Sequence, residues 1–177
     1  MIHIKTPFAL DKNLGRAYNE AFEGVPDGDW VCLIDRDVCF LSPNSIPIMH
    51  EYIKQWPDTG IFTCFTNRIH QLATDQLYFD EPSEDDRVSN WEKIAEQQED
   101  SKLDVTEIKH PISGFLMLIS KKTWNEIKFF PDGSCLGVDN VYSHDVLMTG
   151  RKIYRMDKIV VWHSYRLKNI RDKSHLL

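Results

Sequence analysis

Trp30-Val31-Cys32-Leu33-Ile34 is an unbroken apolar run, and it ends in Asp35-Arg36-Asp37, two carboxylates one residue apart. An alternating pattern would let one face of a strand meet water. A continuous run needs cover on both faces and predicts a central strand of a sheet with helices on either side. Gly28 bounds the run on one side and Ser42-Pro43 on the other. The charges then fall at the carboxyl end of that strand, where open α/β sheets form their ligand crevice. In extended backbone Asp35 and Asp37 face one way and Arg36 the other. Two hard oxygen donors aimed at one spot suit Mg²⁺ or Mn²⁺ carrying a phosphorylated ligand. An Asp-rich strand-to-turn exit has the same spacing, so the motif by itself leaves both readings open.

The rest of the chain alternates in the same style. Ile2 to Lys5 predicts a first strand. Leu14, Ala17, Tyr18, Ala21 and Phe22 follow at helical spacing after the possible caps Asp11 and Asn13, until Gly24, Pro26 and Gly28 end the helix. A helix over Ser45 to Lys54 and a strand over Gly60 to Phe65 continue the pattern. Together they favour a mixed, mostly parallel sheet flanked by helices. Residues 67–109 break it: they form a polar, acidic excursion with one helix expected from a capping box at Ser89 to Glu92, carrying Trp91, Ile94 and Ala95. Sheet character returns at Gly114 to Ile119, a helix starts near Lys121, and Pro131-Asp132-Gly133-Ser134 reads as a loop. A further helix runs from Asp139 to about Thr149, before strands near Ile153 and at Ile159 to Trp162.

At 177 residues and 42% hydrophobic content, the chain fits one domain, 1–177, with a real core. The charge of −6 is uneven. Residues 80–107 carry 11 acidic and 3 basic side chains, whereas 151–177 carry 8 basic and 2 acidic. Nucleic acid is thereby disfavoured as the main partner, while a basic tail suits an acidic substrate, an anionic surface or another subunit of a homo-oligomer. Cys32, Cys39, Cys64 and Cys135 show no paired spacing, and three of them lie in or beside apolar runs, which points to a reducing, cytoplasmic setting. The start Met1-Ile2-His3-Ile4-Lys5 lacks a signal-peptide core, and no stretch is long enough to span a bilayer.

Two further clusters carry chemistry. Asp139, within Gly137-Val138-Asp139-Asn140, falls at a predicted helix start, where a carboxylate ordinarily serves as an N-cap. His163 closes the strand Val160-Val161-Trp162 and is either a satisfied core histidine or a metal ligand.

In order and spacing these segments resemble the nucleotide-sugar glycosyltransferases of the Rossmann-like GT-A fold, family 2-like in character. The resemblance runs through Asn13-Leu14-Gly15-Arg16-Ala17-Tyr18-Asn19, Gly28-Asp29-Trp30 with the D-x-D strand, Ser113-Gly114-Phe115, Lys121-Lys122-Thr123-Trp124, Phe130-Pro131, Gly137-Val138-Asp139-Asn140 and His163-Ser164-Tyr165-Arg166. It implies a metal-dependent transferase using a nucleotide sugar, of the UDP class, and an unidentified acceptor, with Mn²⁺ or Mg²⁺ as cofactor. Asp35 would face ribose and metal, and Asp37 and His163 would ligate the metal. Asp139 would be the base that activates the acceptor, although Val138 stands where the family places a preceding acid. Gly114 would line the donor site. The region ahead of the first helix is short for the family, leaving Thr6, Pro7 and Phe8 for the nucleobase and ribose, with Arg16 within reach of the diphosphate.

Two other classes compete. Haloacid-dehalogenase-like phosphatases also place D-x-D after an apolar strand, with the first Asp as nucleophile, but their strand usually opens the domain and Thr or Val stands where this chain has Cys39. A non-catalytic nucleotide-binding or assembly module is the third reading. Sugar transfer or slow donor hydrolysis with Mn²⁺, phosphate release from a phosphomonoester, and binding without turnover separate the three.

Overall fold

The computed structural model describes residues 1–69, 74–131 and 136–165. The loop expected over Asp132-Gly133-Ser134, Cys135, and the tail from Arg166 onward lie outside them. The strands are β1 (Ile2–Lys5), β2 (Trp30–Ile34), β3 (Val38–Phe40), β4 (Ile61–Thr66), β5 (Val105–Ile108), β6 (Leu116–Ser120) and β7 (Ile153–His163). The helices are α1 (Leu14–Ala21), α2 (Ser45–Gln55), α3 (Val88–Glu99), α4 (Lys121–Glu126) and α5 (Val138–Met148), and Thr74–Gln76 makes a single 3₁₀ turn.

The seven strands form one sheet in the order β1-β2-β6-β4-β7-β3, and β5 also pairs with β7. It is mixed, as expected, but it is not mostly parallel in its pairing. Only β1–β2 and β4–β7 pair in parallel, while β2–β6, β4–β6, β3–β7 and β5–β7 are antiparallel. The cause is β6, which runs against both neighbours between β2 and β4. Along the far edge of β7, β5 takes the first half and β3 the last.

Every residue of β2 is buried, and its side chains divide between two cores. Trp30, Cys32 and Ile34 join α2 through Ile48, Met49 and Tyr52. Val31 and Leu33 join Tyr18 of α1 and its C-cap Phe22, Trp124 of α4 and Tyr142 and Val146 of α5. A strand covered on both faces is what the continuous apolar run demanded.

The excursion is less detached than its composition suggests. Its β5 completes the edge of β7, and α3 lays Trp91 and Ala95 against Val160. The expected capping box does not form. Arg87 holds the cap position of α3 without a side-chain bond, and Ser89 lies inside the helix. Asp85 orders the approach instead, its carboxylate accepting from the Arg87 backbone N–H at 3.0 Å and from the Asn90 amide at 2.7 Å. Likewise β7 is one strand where two were expected. Asp157-Lys158-Ile159 forms a bulge, at which the register with β4 slips between Cys64, opposite Met156, and Phe65, opposite Val160.

Helix α1 starts where Asn13 Oδ1 accepts from the Arg16 N–H at 3.0 Å. Gly15 then passes so close to the next layer that a Cβ there would lie 2.2 Å from the Phe130 carbonyl oxygen. Helix propensity alone makes Gly→Ala in a helix stabilising by roughly 0.5–1 kcal/mol, but overpacking typically costs about 1–3 kcal/mol. Gly15→Ala is therefore expected to lower the urea unfolding midpoint; a raised midpoint would show that α1 does not seat against Phe130.

Candidate functional site

The site begins where β2 runs out of apolar residues. The Asp35 N–H donates to the Phe115 carbonyl at 2.9 Å, extending the β2–β6 ladder by one residue, and the Val38 N–H donates back to the Asp35 carbonyl at 3.1 Å. Residues 35–38 thus form a tight turn, so Asp35 and Asp37 converge through a turn and not through strand alternation. Strand β3 follows at once, with Val38 opposite His163. The Ser164 N–H donates to the Asp37 carbonyl at 2.9 Å. This short pairing, which sequence reading missed, carries Asp37 to the end of β7. Ligand atoms of Asp35, Asp37 and His163 all lie within 4.8 Å of one another.

His163 is held firmly. Its backbone N–H donates to Asn67 Oδ1 at 2.7 Å, and its Nδ1 lies 3.0 Å from the Arg68 carbonyl. A carbonyl only accepts, so Nδ1 carries the hydrogen and Nε2 is left for the site. The Phe115 ring stacks on the imidazole at 5.6 Å. Nε2 faces Asp37 Oδ1 at 3.4 Å, with the His163 side chain 4% exposed and that of Asp37 46%. A neutral imidazole would set a lone pair against a carboxylate there. The arrangement calls for positive charge between the two, supplied by a proton on Nε2 or by a cation. Two carboxylates and one imidazole with its tautomer fixed by a backbone carbonyl match the donor set and outer support of a Mn²⁺ or Mg²⁺ site.

Asp35 shows the same need for a counter-charge. Burial is the main reason its pKa is pushed up to about 7; Asp37 and Asp139 add to the rise and His163 opposes it. These four groups share one electrostatic environment at the carboxyl end of β2.

Asp139 is not the N-cap expected of it. Gly137 occupies the cap of α5 with φ +78°, and Asp139 lies in the first turn. Its Oδ2 accepts from the Gly114 N–H at 2.6 Å. Burial raises its pKa, and hydrogen bonds from Gly114, Asn140 and its own backbone offset part of that rise. Gly114 permits the contact because a Cβ there would sit 2.6 Å from Asp139 Cβ. The segment leading to Gly114 is fixed by side chains sequence reading did not single out. Gln76, fully buried, bonds both the N–H of Ser113 at 2.8 Å and its carbonyl at 3.0 Å. Asn140 donates to the Ile112 carbonyl at 2.9 Å, and Ser143 Oγ accepts from the Ile112 N–H at 3.2 Å.

The remaining sequence-predicted residues lie around this cluster without joining it. Lys5 is in register with Leu33, so Thr6, Pro7 and Phe8 leave β1 beside the end of β2, with Phe8 67% exposed. Arg16 pairs with Asp11 at 3.0 Å and Glu20 at 3.4 Å, and among the described residues no ion pair links it to the carboxylates.

No protein-family model matches the chain, and no curated protein or solved structure does so either.

The raised pKa of Asp35 gives a signed prediction. A carboxyl whose folded pKa exceeds its unfolded value contributes stability that is complete below about pH 4 and lost as pH rises through about 7. In EDTA, Asp35→Asn is thus expected to be more stable than wild type at pH 8, by on the order of 1–3 kcal/mol, and the gap should close toward pH 4. Chemical unfolding at the two pH values measures it; a variant less stable at pH 8 would contradict the buried-charge account.

Proposed function

We propose that this chain is a divalent-cation-dependent glycosyltransferase of compact GT-A type, moving a sugar from a nucleoside-diphosphate sugar of the UDP class to an acceptor hydroxyl. The observation that carries the reading is the convergence of Asp35, Asp37 and His163 within 4.8 Å, with the half-buried Asp139 close enough to act on Asp35. The free thiols Cys32, Cys39 and Cys64 suit action in a reducing compartment, which we take to be the cytoplasm. Among the described residues no helix is long and apolar enough to cross a membrane.

Asp35, Asp37 and His163 would hold Mn²⁺ or Mg²⁺, whose contribution is Lewis-acid stabilisation of the charge that builds on the departing diphosphate. The chain's own groups supply the rest. Asp139, raised by burial and oriented by the Gly114 N–H, is suited to take the acceptor's proton, since a base works best with a pKa brought toward the working pH. Gln76 holds Ser113, and through it the Gly114 N–H, against drift. Thr6, Pro7 and Phe8 offer an exposed edge beside β2 for nucleobase and ribose. Arg16 exchanges its surface partners Asp11 and Glu20 for the diphosphate, a substitution that costs little because exposed ion pairs contribute only about 0–1 kcal/mol.

Calorimetric titration with UDP and Mn²⁺ tests the cation assignment. Asp37→Ala is expected to abolish binding while leaving the circular dichroism spectrum unchanged, because Asp37 is exposed and contributes little to the core. Wild-type affinity in that variant would refute it. The role of Asp139 has its own test in single-turnover assays across a panel of UDP-sugars. Asp139→Asn should bind donor normally but react about 100 to 10,000 times more slowly. Turnover within a few-fold of wild type would assign Asp139 to holding Gly114 alone. Phosphate release from p-nitrophenyl phosphate without donor hydrolysis would favour the phosphatase reading.

A further inference from the structure

At the opposite end of the sheet the chain builds a second concavity, distant from the carboxylate cluster. An open depression of about 270 Å³ lies where α2 ends and β7 begins, lined by Gln55, Trp56, Asp58, Thr59, Lys152 and Tyr154. Strand β7 joins them, and its register with β4, Tyr154 opposite Phe62 and Val161 opposite Thr66, puts Tyr154 and His163 roughly 20 Å apart at ~3.3 Å per residue. The two places are therefore separate surfaces of one sheet.

The walls of this depression are aromatic and rigidly backed. Tyr52 and Phe62 are fully buried. Trp56 stacks on Tyr52 at 5.6 Å and meets Tyr154 at 6.5 Å with a tilt of 55°, and Tyr154 lies 6.4 Å from Phe62. The four rings thus form a cluster whose inner half belongs to the core and whose outer half, Trp56 and Tyr154, is only partly covered. Trp56 is also the C-cap of α2, where the Thr59 hydroxyl donates to its carbonyl at 2.9 Å, so the indole is fixed at its backbone as well.

Polar groups rim the rings. Asp58 is paired with Lys122 at 3.6 Å, and Lys152 with Glu107 at 3.0 Å; all are on the surface. Lys152 Nζ stands 5.8 Å from the centre of the Tyr154 ring. Because each of these charges is already paired, the rim offers hydrogen-bond donors and acceptors with little net charge for an ion to answer. That suits a neutral molecule with an apolar face and a ring of hydroxyls. The C–H groups of one pyranose face pack on electron-rich aromatic rings, while its hydroxyls reach a carboxylate, an ammonium and the Gln55 amide. The volume lies just below the ~300–1,000 Å³ of pockets for drug-sized ligands, the size for one ring.

We propose that the Trp56–Tyr154 depression is a carbohydrate-binding subsite for a neutral pyranose unit, independent of any cation. It does not rest on the proposed transfer activity, and it is tested without it. The full chain, ¹⁵N-labelled and in EDTA, is titrated with maltotriose and with N,N′,N″-triacetylchitotriose and followed by amide chemical shifts. Saturable perturbation confined to residues 55–59 and 152–154 is expected for at least one probe, at a dissociation constant of about 0.1–10 mM. Trp56→Leu should weaken binding at least tenfold. Asp58→Ala and Lys152→Ala, exposed changes that leave the core untouched, should each weaken it several-fold. No perturbation of these amides by either probe up to 50 mM, perturbation only around residues 35–37 and 163, or affinity unchanged in all three variants would overturn the proposal.

Discussion

A strand buried on both faces constrains all that surrounds it. The five residues of β2 must be covered by α2 on one side and by α1, α4 and α5 on the other, and both of its edges must be paired. The faces that those layers turn to β2 are apolar, so the strand has to stop at Ile34. Asp35 is caught at the boundary, its backbone still in the ladder with Phe115 and its carboxyl at the rim of the core. Its raised pKa, about 7, follows from that position. The same packing that stabilises the fold creates a carboxyl that is poorly solvated when charged, an arrangement common at functional sites.

Around Asp35 the backbone does most of the positioning. A four-residue turn and the short β3 deliver Asp37, and the Arg68 carbonyl selects the tautomer of His163. Phe115 acts twice, through its carbonyl on Asp35 and its ring on His163. Asp139 is tied to the same segment one residue away, through Gly114. Because most of these contacts use backbone groups of paired elements, the cluster is positioned by the fold itself, as a preorganised site requires.

Much of this was legible in the sequence, for physical reasons. Apolar runs announced β2 and β6, a largely apolar run broken by Thr63 announced β4, and apolar residues at helical spacing announced α1, because burial dominates those elements. The D-x-D and the closing His163 marked the cluster itself. What escaped notice depended on pairing with distant residues. Val38-Cys39-Phe40 is too short to signal a strand until β7 lies beside it, and Val105-Thr106-Glu107-Ile108 is an edge strand with half its residues polar. The parallel bias failed for a similar reason, since direction is set by how the chain crosses the sheet and leaves no local trace. Gln76 looked like one polar residue among many, and its role exists only because Ser113 passes beside it. Ser89 matched a capping pattern, yet α3 begins at Val88, where Asp85 holds Arg87 and Asn90 from outside the helix.

The central claim is that Asp35, Asp37 and His163 together hold one divalent cation. Pulsed electron paramagnetic resonance of the protein with Mn²⁺ tests it most directly, because a ligating imidazole imprints its nitrogen on the metal signal. The account predicts one Mn²⁺ per chain with a single histidine nitrogen coupling, and loss of that coupling in His163→Gln. A Mn²⁺ signal with no nitrogen coupling, coupling that persists in His163→Gln, or no Mn²⁺ binding at millimolar concentration would contradict it.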